Sequence, residues 1–199
     1  MKETIFITAT NTDVGKTYAC EKFIKYYSKK GYKVGYFKPF ETGVKSFPID
    51  GSKMLKLVKE LNSEFDFDIE DVVPYQFELP ASIFVAKNGT KIDLKLLLDK
   101  KKQLEEKCDI LIIEGAGGLM VPIEKDFFII DLIKYFNCKV KLITPSKLGC
   151  INDTLLSINA LKQQKIEFDW YVNLFLDKDS FKKVTLPFYQ SYFKEIKYL

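Results

Sequence analysis

Residues Thr4–Lys30 allow few backbone geometries. Thr4–Thr8 is a short run of β-forming residues. Thr8–Thr17 is polar and ends in Gly15-Lys16-Thr17. Lys16–Lys30 then carries Ala19, Phe23, Ile24 and Tyr27 at helical spacing, with Gly31 placed to end the helix. A strand, a tight turn and a helix in this order aim backbone N–H groups and the positive helix end at one point, which suits phosphate. In such a phosphate loop a lysine reaches the β- and γ-phosphates, and the hydroxyl after it ligates Mg²⁺. Lys16 and Thr17 stand at those two positions. The strict pattern G-x-x-x-x-G-K-[ST] is not met, because Thr10 occupies the first glycine position.

The rest of the chain alternates in the same way. Lys33–Phe37 reads as a second strand, Lys38–Gly43 as the loop leaving it and Ser52–Leu61 as a helix. The stretch Asn62–Val73, acidic with interleaved phenylalanines, follows no clear period. Leu94–Lys107 reads as a helix leading into Asp109–Ile113, whose unbroken apolar run suits a central parallel strand buried on both faces. Phe127–Phe136 is helical, Lys139–Thr144 a strand, Asn152–Gln164 a helix capped near Asn152 or Asp153, and Trp170–Phe175 a strand. The expected fold is α/β: a mostly parallel sheet flanked by helices, like that of P-loop NTPases, with residues 1–199 as a single domain. In such sheets ligands sit at the carboxyl ends of strands.

Two further motifs fall at strand ends. Ile110–Ile113 runs into Glu114-Gly115-Ala116-Gly117-Gly118, an apolar strand ending in a carboxylate. That acid suits the second side of a Mg²⁺ shell, and the glycines let backbone approach phosphate or substrate. Lys38-Pro39-Phe40-Glu41-Thr42-Gly43 places a second ammonium beside the phosphate loop, where it would suit a reaction that accumulates negative charge.

The chain has no histidine, and every basic side chain is lysine. Catalytic triads built on histidine, imidazole zinc sites and an arginine finger in cis are thereby excluded. Cys20, Cys108, Cys138 and Cys150 stand apart with no C-x-x-C pair, which fits a reducing compartment. The first apolar run is too short for a signal segment or a membrane span, so a cytoplasmic location is expected. Lys100–Lys102, bracketed by Asp99 and by Glu105 and Glu106, reads as a solvated helix face, so neither nucleic acid nor membrane is expected as a partner.

Together the motifs resemble those of dethiobiotin synthetase. The phosphate loop of that family is similar to Thr10–Thr17, its Lys-Pro loop to Lys38–Gly43, its E-G-A-G-G-L-x-V-P-I segment to Glu114–Ile123 and its K-L-G-C-I-N segment to Lys147–Asn152. The resemblance implies ATP-dependent carboxylation and ring closure of 7,8-diaminononanoate with CO₂ or bicarbonate, in biotin biosynthesis. It also implies Mg²⁺ and a homodimer. Lys16 and Lys38 would be the catalytic lysines, and Thr17 and Glu114 would hold Mg²⁺. Thr12, Asp13, Val14, Gly15, Lys16, Thr17 and Tyr18 would line the nucleotide, with Glu114, Gly115, Ala116, Gly117, Asn173 and Leu174. Thr42 would contact the substrate, and Leu148, Gly149, Cys150, Ile151 and Asn152 would complete the partner subunit's substrate site. Two features depart from the family. Ser52 falls where the family has an acid at a helix start, and Asp50, two residues upstream, is taken as the substitute Mg²⁺ ligand. The segment after Leu186-Pro187-Phe188 is short, which leaves the preferred base open. The competing reading is a partitioning-type ATPase acting as a nucleotide switch, but those carry an early loop lysine where this chain has Ala9 and Thr10.

Overall fold

The opening apolar run forms β1 (Glu3–Ala9), which lies inside a six-stranded sheet. The structure, a computed structural model, describes residues 2–175 and 178–199. After β1 come α1 (Lys16–Lys29), β2 (Val34–Phe37), β3 (Phe40–Thr42), α2 (Ile49–Leu61), α3 (Ile69–Val72), β4 (Tyr75–Phe77), α4 (Ile83–Ala86) and α5 (Leu94–Glu106). The second half holds β5 (Ile110–Gly118), β6 (Pro122–Glu124), β7 (Phe127–Phe128), α6 (Ile129–Phe136), β8 (Lys139–Pro145), α7 (Cys150–Gln163) and β9 (Phe168–Asn173). It closes through α8 (Lys178–Ser180), a π-helical turn at Phe181–Thr185, α9 (Leu186–Tyr192) and β10 (Lys197–Tyr198).

The main sheet runs β10-β9-β8-β1-β5-β2, with every pairing parallel. Ile5, Phe6, Ile7 and Ile110–Ile113 are all buried, so β1 and β5 are covered on both faces and their apolar runs need no polar alternation. Helices α1 and α2 pack on each other, α1 also on β1 and β5 and α2 on β2, while α5 and α6 pack against β5 and α7 against β8. The chain leaves β1 toward β2 on one side and later builds β8, β9 and β10 on the other. That reversal opens a crevice beside the carboxyl end of β1, the place where open α/β sheets bind ligands.

Two local expectations need correction, and two stretches the sequence left unassigned find their place. Asn62–Val73 is ordered by burial and not by period: Phe65 is fully buried, and the Asn62 amide donates to the carbonyls of Val34 and Lys107, each at 2.9 Å. Lys38–Gly43 is not purely a loop, since β3 pairs in parallel with β4, and three residues are too few to leave a periodic signature. Helix α7 starts at Cys150 behind a left-handed Gly149, not at Asn152 or Asp153, whose side chains bond to each other within the first turn. The short C-terminal segment adds β10 at the sheet edge, anchored by buried Phe181 and Tyr189.

Asn62 is thus a polar clip joining the start of β2 to the end of α5. We expect Asn62→Ala to leave two carbonyls short of a donor and to lower stability by about 1–3 kcal/mol. Urea unfolding checks this: the midpoint should fall at an unchanged m-value.

Candidate active site

Positive backbone φ in the phosphate loop is confined to Asp13 (58°) and Gly15 (100°). Thr10 needs no such conformation, which explains why threonine is accommodated where the usual pattern has glycine. Its N–H donates to the Ile143 carbonyl at 3.1 Å and ties the loop to β8. Gly15 is required for a second reason, because a Cβ there would sit 2.4 Å from Asn173 Nδ2. That amide donates to the Val14 carbonyl at 2.9 Å, so β9 braces the loop from behind. Lys16 Nζ donates across the loop to the Asn11 carbonyl at 3.1 Å. Burial pushes the Lys16 pKa down, with Glu114 opposing it in part.

Strand β5 bulges where it meets this loop. Ile7 pairs with Glu114 and Ala9 with Gly118, so Gly115, Ala116 and Gly117 face Thr8 alone. Gly117 has φ of +66°, and a Cβ on Gly118 would lie 2.9 Å from the Thr10 carbonyl oxygen. The glycines therefore let the strand end press directly on the loop.

Just before the bulge, Glu114 is 1% exposed and accepts three hydrogen bonds. Thr17 Oγ1 (2.8 Å) and Lys38 Nζ (2.7 Å) donate to Oε1, and Tyr36 OH (2.8 Å) donates to Oε2. Lys38 is held at the end of β2 by its N–H to the Val72 carbonyl at 2.8 Å. Its ammonium also reaches Asp50 Oδ2 at 3.2 Å. Burial pushes the Glu114 carboxyl up, but the charge and hydrogen bond of Lys38, with Tyr36 and Thr17, more than reverse this and hold it below the usual carboxylate range. Burial likewise pushes Lys38 down, and Glu114 and Asp50 outweigh it to leave the ammonium above its ordinary pKa.

Lys16, Thr17, Lys38, Asp50 and Glu114 line a cavity of about 770 Å³ with Thr12, Asp13, Gly15, Phe40–Thr42, Pro80–Ile83, Gly115–Gly117 and Val121, and Tyr36 supports Glu114 from behind it. The sequence-derived set is thus largely brought together: Thr12, Asp13, Gly15–Thr17, Lys38, Thr42, Asp50 and Glu114–Gly117 share one space. Asp50 faces the cavity, whereas Ser52 lines a separate shallow groove with Leu55 and Lys56. Val14 is buried beneath the loop, and Tyr18 lies exposed on the first turn of α1. Asn173 and Leu174 follow at the end of β9, where Asn173 is engaged with the loop itself. Leu148–Asn152 do not line the cavity. Leu148 is 74% exposed, and Cys150 is turned inward, where its sulfur accepts from Tyr189 OH at 3.6 Å.

Sequence reasoning missed Tyr36, Glu41 and Pro80–Ile83. Tyr36 carried a faint signal, a phenol in an otherwise apolar strand whose hydroxyl needs a buried partner. Glu41 sat inside a motif already singled out, and Pro80–Ile83 carried no signal at all.

An AAA domain family model matches residues 3–169. The ATP-dependent dethiobiotin synthetase BioD of Sulfurovum sp. is 50% identical over 190 residues, 95% of this chain and 90% of that protein. The chain belongs to the dethiobiotin synthetase family. The synthetase of Wolinella succinogenes is 35% identical over 94% of this chain and 88% of its own length. That of Methanocaldococcus jannaschii is 36% identical over 81% and 75%. Among solved structures, the MinC:MinD cell division protein complex of Aquifex aeolicus has a TM-score of 0.61 at 18% identity, covering 98% of this chain and 79% of that one. A putative plasmid partition protein of Borrelia burgdorferi bound to AMPPNP also reaches 0.61, at 15% identity, covering 100% and 85%. At such identities the structural likeness establishes the fold alone. The sequence relatives separate this synthetase-family enzyme from the partitioning class that shares its architecture.

The Lys38–Glu114 pair sets an expected pH dependence. With its folded pKa depressed, Glu114 stabilises the fold above the ordinary carboxylate pKa, and this is lost as pH falls through the folded value. Lys38, raised, stabilises below the ordinary lysine pKa and loses this as pH rises through its own folded value. In Lys38→Met the largest offset to the burial of Glu114 is gone and only the Tyr36 and Thr17 hydrogen bonds remain, so its folded pKa should move above the unfolded one. The sign of the slope then reverses: stability of Lys38→Met should fall as pH rises from about 4 toward neutrality. Urea midpoints measured across that range for both proteins check it, and parallel profiles would remove the pair from this role.

Proposed function

We propose that this enzyme converts 7,8-diaminononanoate, CO₂ and ATP to dethiobiotin, ADP and phosphate, using the cavity between the phosphate loop, Lys38 and Glu114. One substrate amine adds to CO₂ and loses a proton to give a carbamate. The carbamate oxygen attacks the γ-phosphorus and expels ADP, giving a carbamic–phosphoric anhydride. The neighbouring amine then attacks its carbonyl, expels phosphate and closes the cyclic urea. The observation that carries this reading is that two buried ammonium groups, Lys16 and Lys38, line one cavity with the buried carboxylate Glu114 in a chain of this family. Joining a carbamate to a triphosphate brings two anions together, and fixed cations are the main means of lowering that barrier.

In this scheme Lys16, with the loop from Thr12 to Tyr18, holds the phosphates. Glu114–Gly117, Asn173 and Leu174 border the nucleotide, and Thr42 contacts the substrate. Lys38 neutralises the carbamate side. Its ammonium is aimed by Glu114 and Asp50 at the cavity they share. Thr17, Glu114 and Asp50 fit a Mg²⁺ ion, all offering hard oxygen donors to the one cavity. Among the described residues no three histidine, cysteine or acidic side chains cluster as a complete metal cage. That suits an ion whose remaining ligands are nucleotide oxygens and water. Bound there, Mg²⁺ would supply charge neutralisation on the phosphates.

A homodimer belongs to the same proposal, with Leu148–Asn152 at the two-fold interface. The exposed loop before α7, led by Leu148, supports it. A cytoplasmic location is proposed with it. Among the described residues no helix is long and apolar enough to cross a membrane.

Phosphate release with diaminononanoate, bicarbonate or ATP omitted in turn tests the reaction, which requires all three. Lys38→Met should lower kcat by about 10²–10³ while ATP affinity changes only a few-fold, and Lys38→Arg should rescue poorly because its planar fork does not reproduce a point charge. Near-normal kcat in Lys38→Met would make this lysine a bystander.

A further inference from the structure

Glu41 is a buried carboxylate of the cavity wall that the reaction as written does not use. It projects from β3 toward the start of α2. Helix α2 begins after Pro48, which provides no side-chain cap, so its first N–H groups need an acceptor from elsewhere. Glu41 supplies it: Oε1 accepts from the Asp50 N–H at 3.1 Å and Oε2 from the Gly51 N–H at 2.9 Å. Gly51 is fitted to this contact. A Cβ there would come within 2.3 Å of Val73 Cγ2 and 3.2 Å of Glu41 Oε2, so any larger residue would push the helix start away from Glu41. The residue whose backbone is gripped is Asp50, whose side chain meets Lys38 at 3.2 Å.

We infer that Glu41 is a positioning residue for catalysis: its two hydrogen bonds to the start of α2 hold the Asp50 carboxylate against Lys38 and so fix where that ammonium points. Lys38 has two acidic partners of unlike mobility. Glu114 is immobilised in the sheet, whereas the Asp50 side chain is 45% exposed and has no comparable anchor of its own. Without the grip of Glu41, the end of α2 is free to shift by the fraction of an ångström that catalysis registers. The β3–β4 ribbon that carries Glu41 also carries Thr42, so one element sets both the lysine and the proposed substrate contact.

This inference rests on the proposed reaction, and the test keeps the two apart. Wild-type phosphate release that fails to require diaminononanoate and bicarbonate removes the reaction itself. Given that requirement, Glu41→Ala is expected to lower kcat about 10- to 100-fold, with ATP affinity by titration calorimetry within threefold, because the phosphate loop is untouched. Glu41→Gln, isosteric but able to accept only one of the two N–H groups, should fall between wild type and Glu41→Ala. It also serves as the working variant if Glu41→Ala does not fold. The decisive measurement is a double-mutant cycle with Asp50→Asn. If Glu41 acts through Asp50, removing it in the Asp50→Asn background costs less than about threefold. A kcat within twofold of wild type in a folded Glu41 variant, or the same fold-loss in both backgrounds, overturns the inference and leaves Glu41 as a helix cap.

Discussion

The carboxylate of Glu114 sits on β5, just before its bulge, with almost no access to water, and the surrounding architecture answers its charge. Thr17 comes from α1, Tyr36 and Lys38 from β2 and its exit, and Asp50 from α2 beyond Lys38. A buried ion pair is a poor way to stabilise a fold, since apolar side chains of the same volume commonly do as well or better. Losing one partner, by contrast, strands the other charge without solvent. The cluster is therefore best understood through its location at the reversal point of the sheet. It makes the phosphate loop, the Lys38 loop and the start of α2 interdependent, so that none of the three can drift alone.

A chain without arginine or histidine meets the demand for positive charge differently from most phosphoryl-transfer sites. Each fixed side-chain cation in the cavity is a primary ammonium, with no rigid fork to set its direction. Direction has to come from the acceptors around it. Lys38 is aimed by Glu114 and Asp50, and Lys16 by the loop carbonyl of Asn11. Carboxylates in this cavity act as guides for lysines as well as candidate metal ligands.

Much of the fold and the centre of the site were legible in the sequence because long apolar runs and the glycine-lysine-threonine turn are local signals. The strands at Thr4–Thr8 and Asp109–Ile113 declared themselves by lacking polar interruption, and Lys38 declared itself by following a strand. The helix start at Cys150 was misplaced because Asn152 and Asp153 are good capping residues by type, yet they bond to each other while Gly149 makes the turn. Asn62–Val73 was illegible because its order comes from distant partners, Val34 and Lys107. Glu41 escaped notice for the same reason. Its meaning depends on where α2 begins relative to β3, which is a tertiary fact. Ser52 had seemed the counterpart of a family acid by helical phase, whereas the structure turns Asp50 to the cavity.

The position of β1 has a consequence for how the molecule comes into being. This strand precedes every other strand of the sheet in the chain, yet it lies between β5 and β8, pairing Glu3 with Ile110 and Ile5 with Lys139. The brace behind its loop, Asn173 to Val14, spans 159 positions of sequence. Contacts so distant along the chain are slow to form, because loop closure must be met before they reward it. An emerging polypeptide therefore carries an unpaired apolar strand and an unshaped phosphate loop until β5, β8 and finally β9 arrive. A nucleotide that recognises only the finished loop draws the population toward chains that have completed this assembly, by mass action.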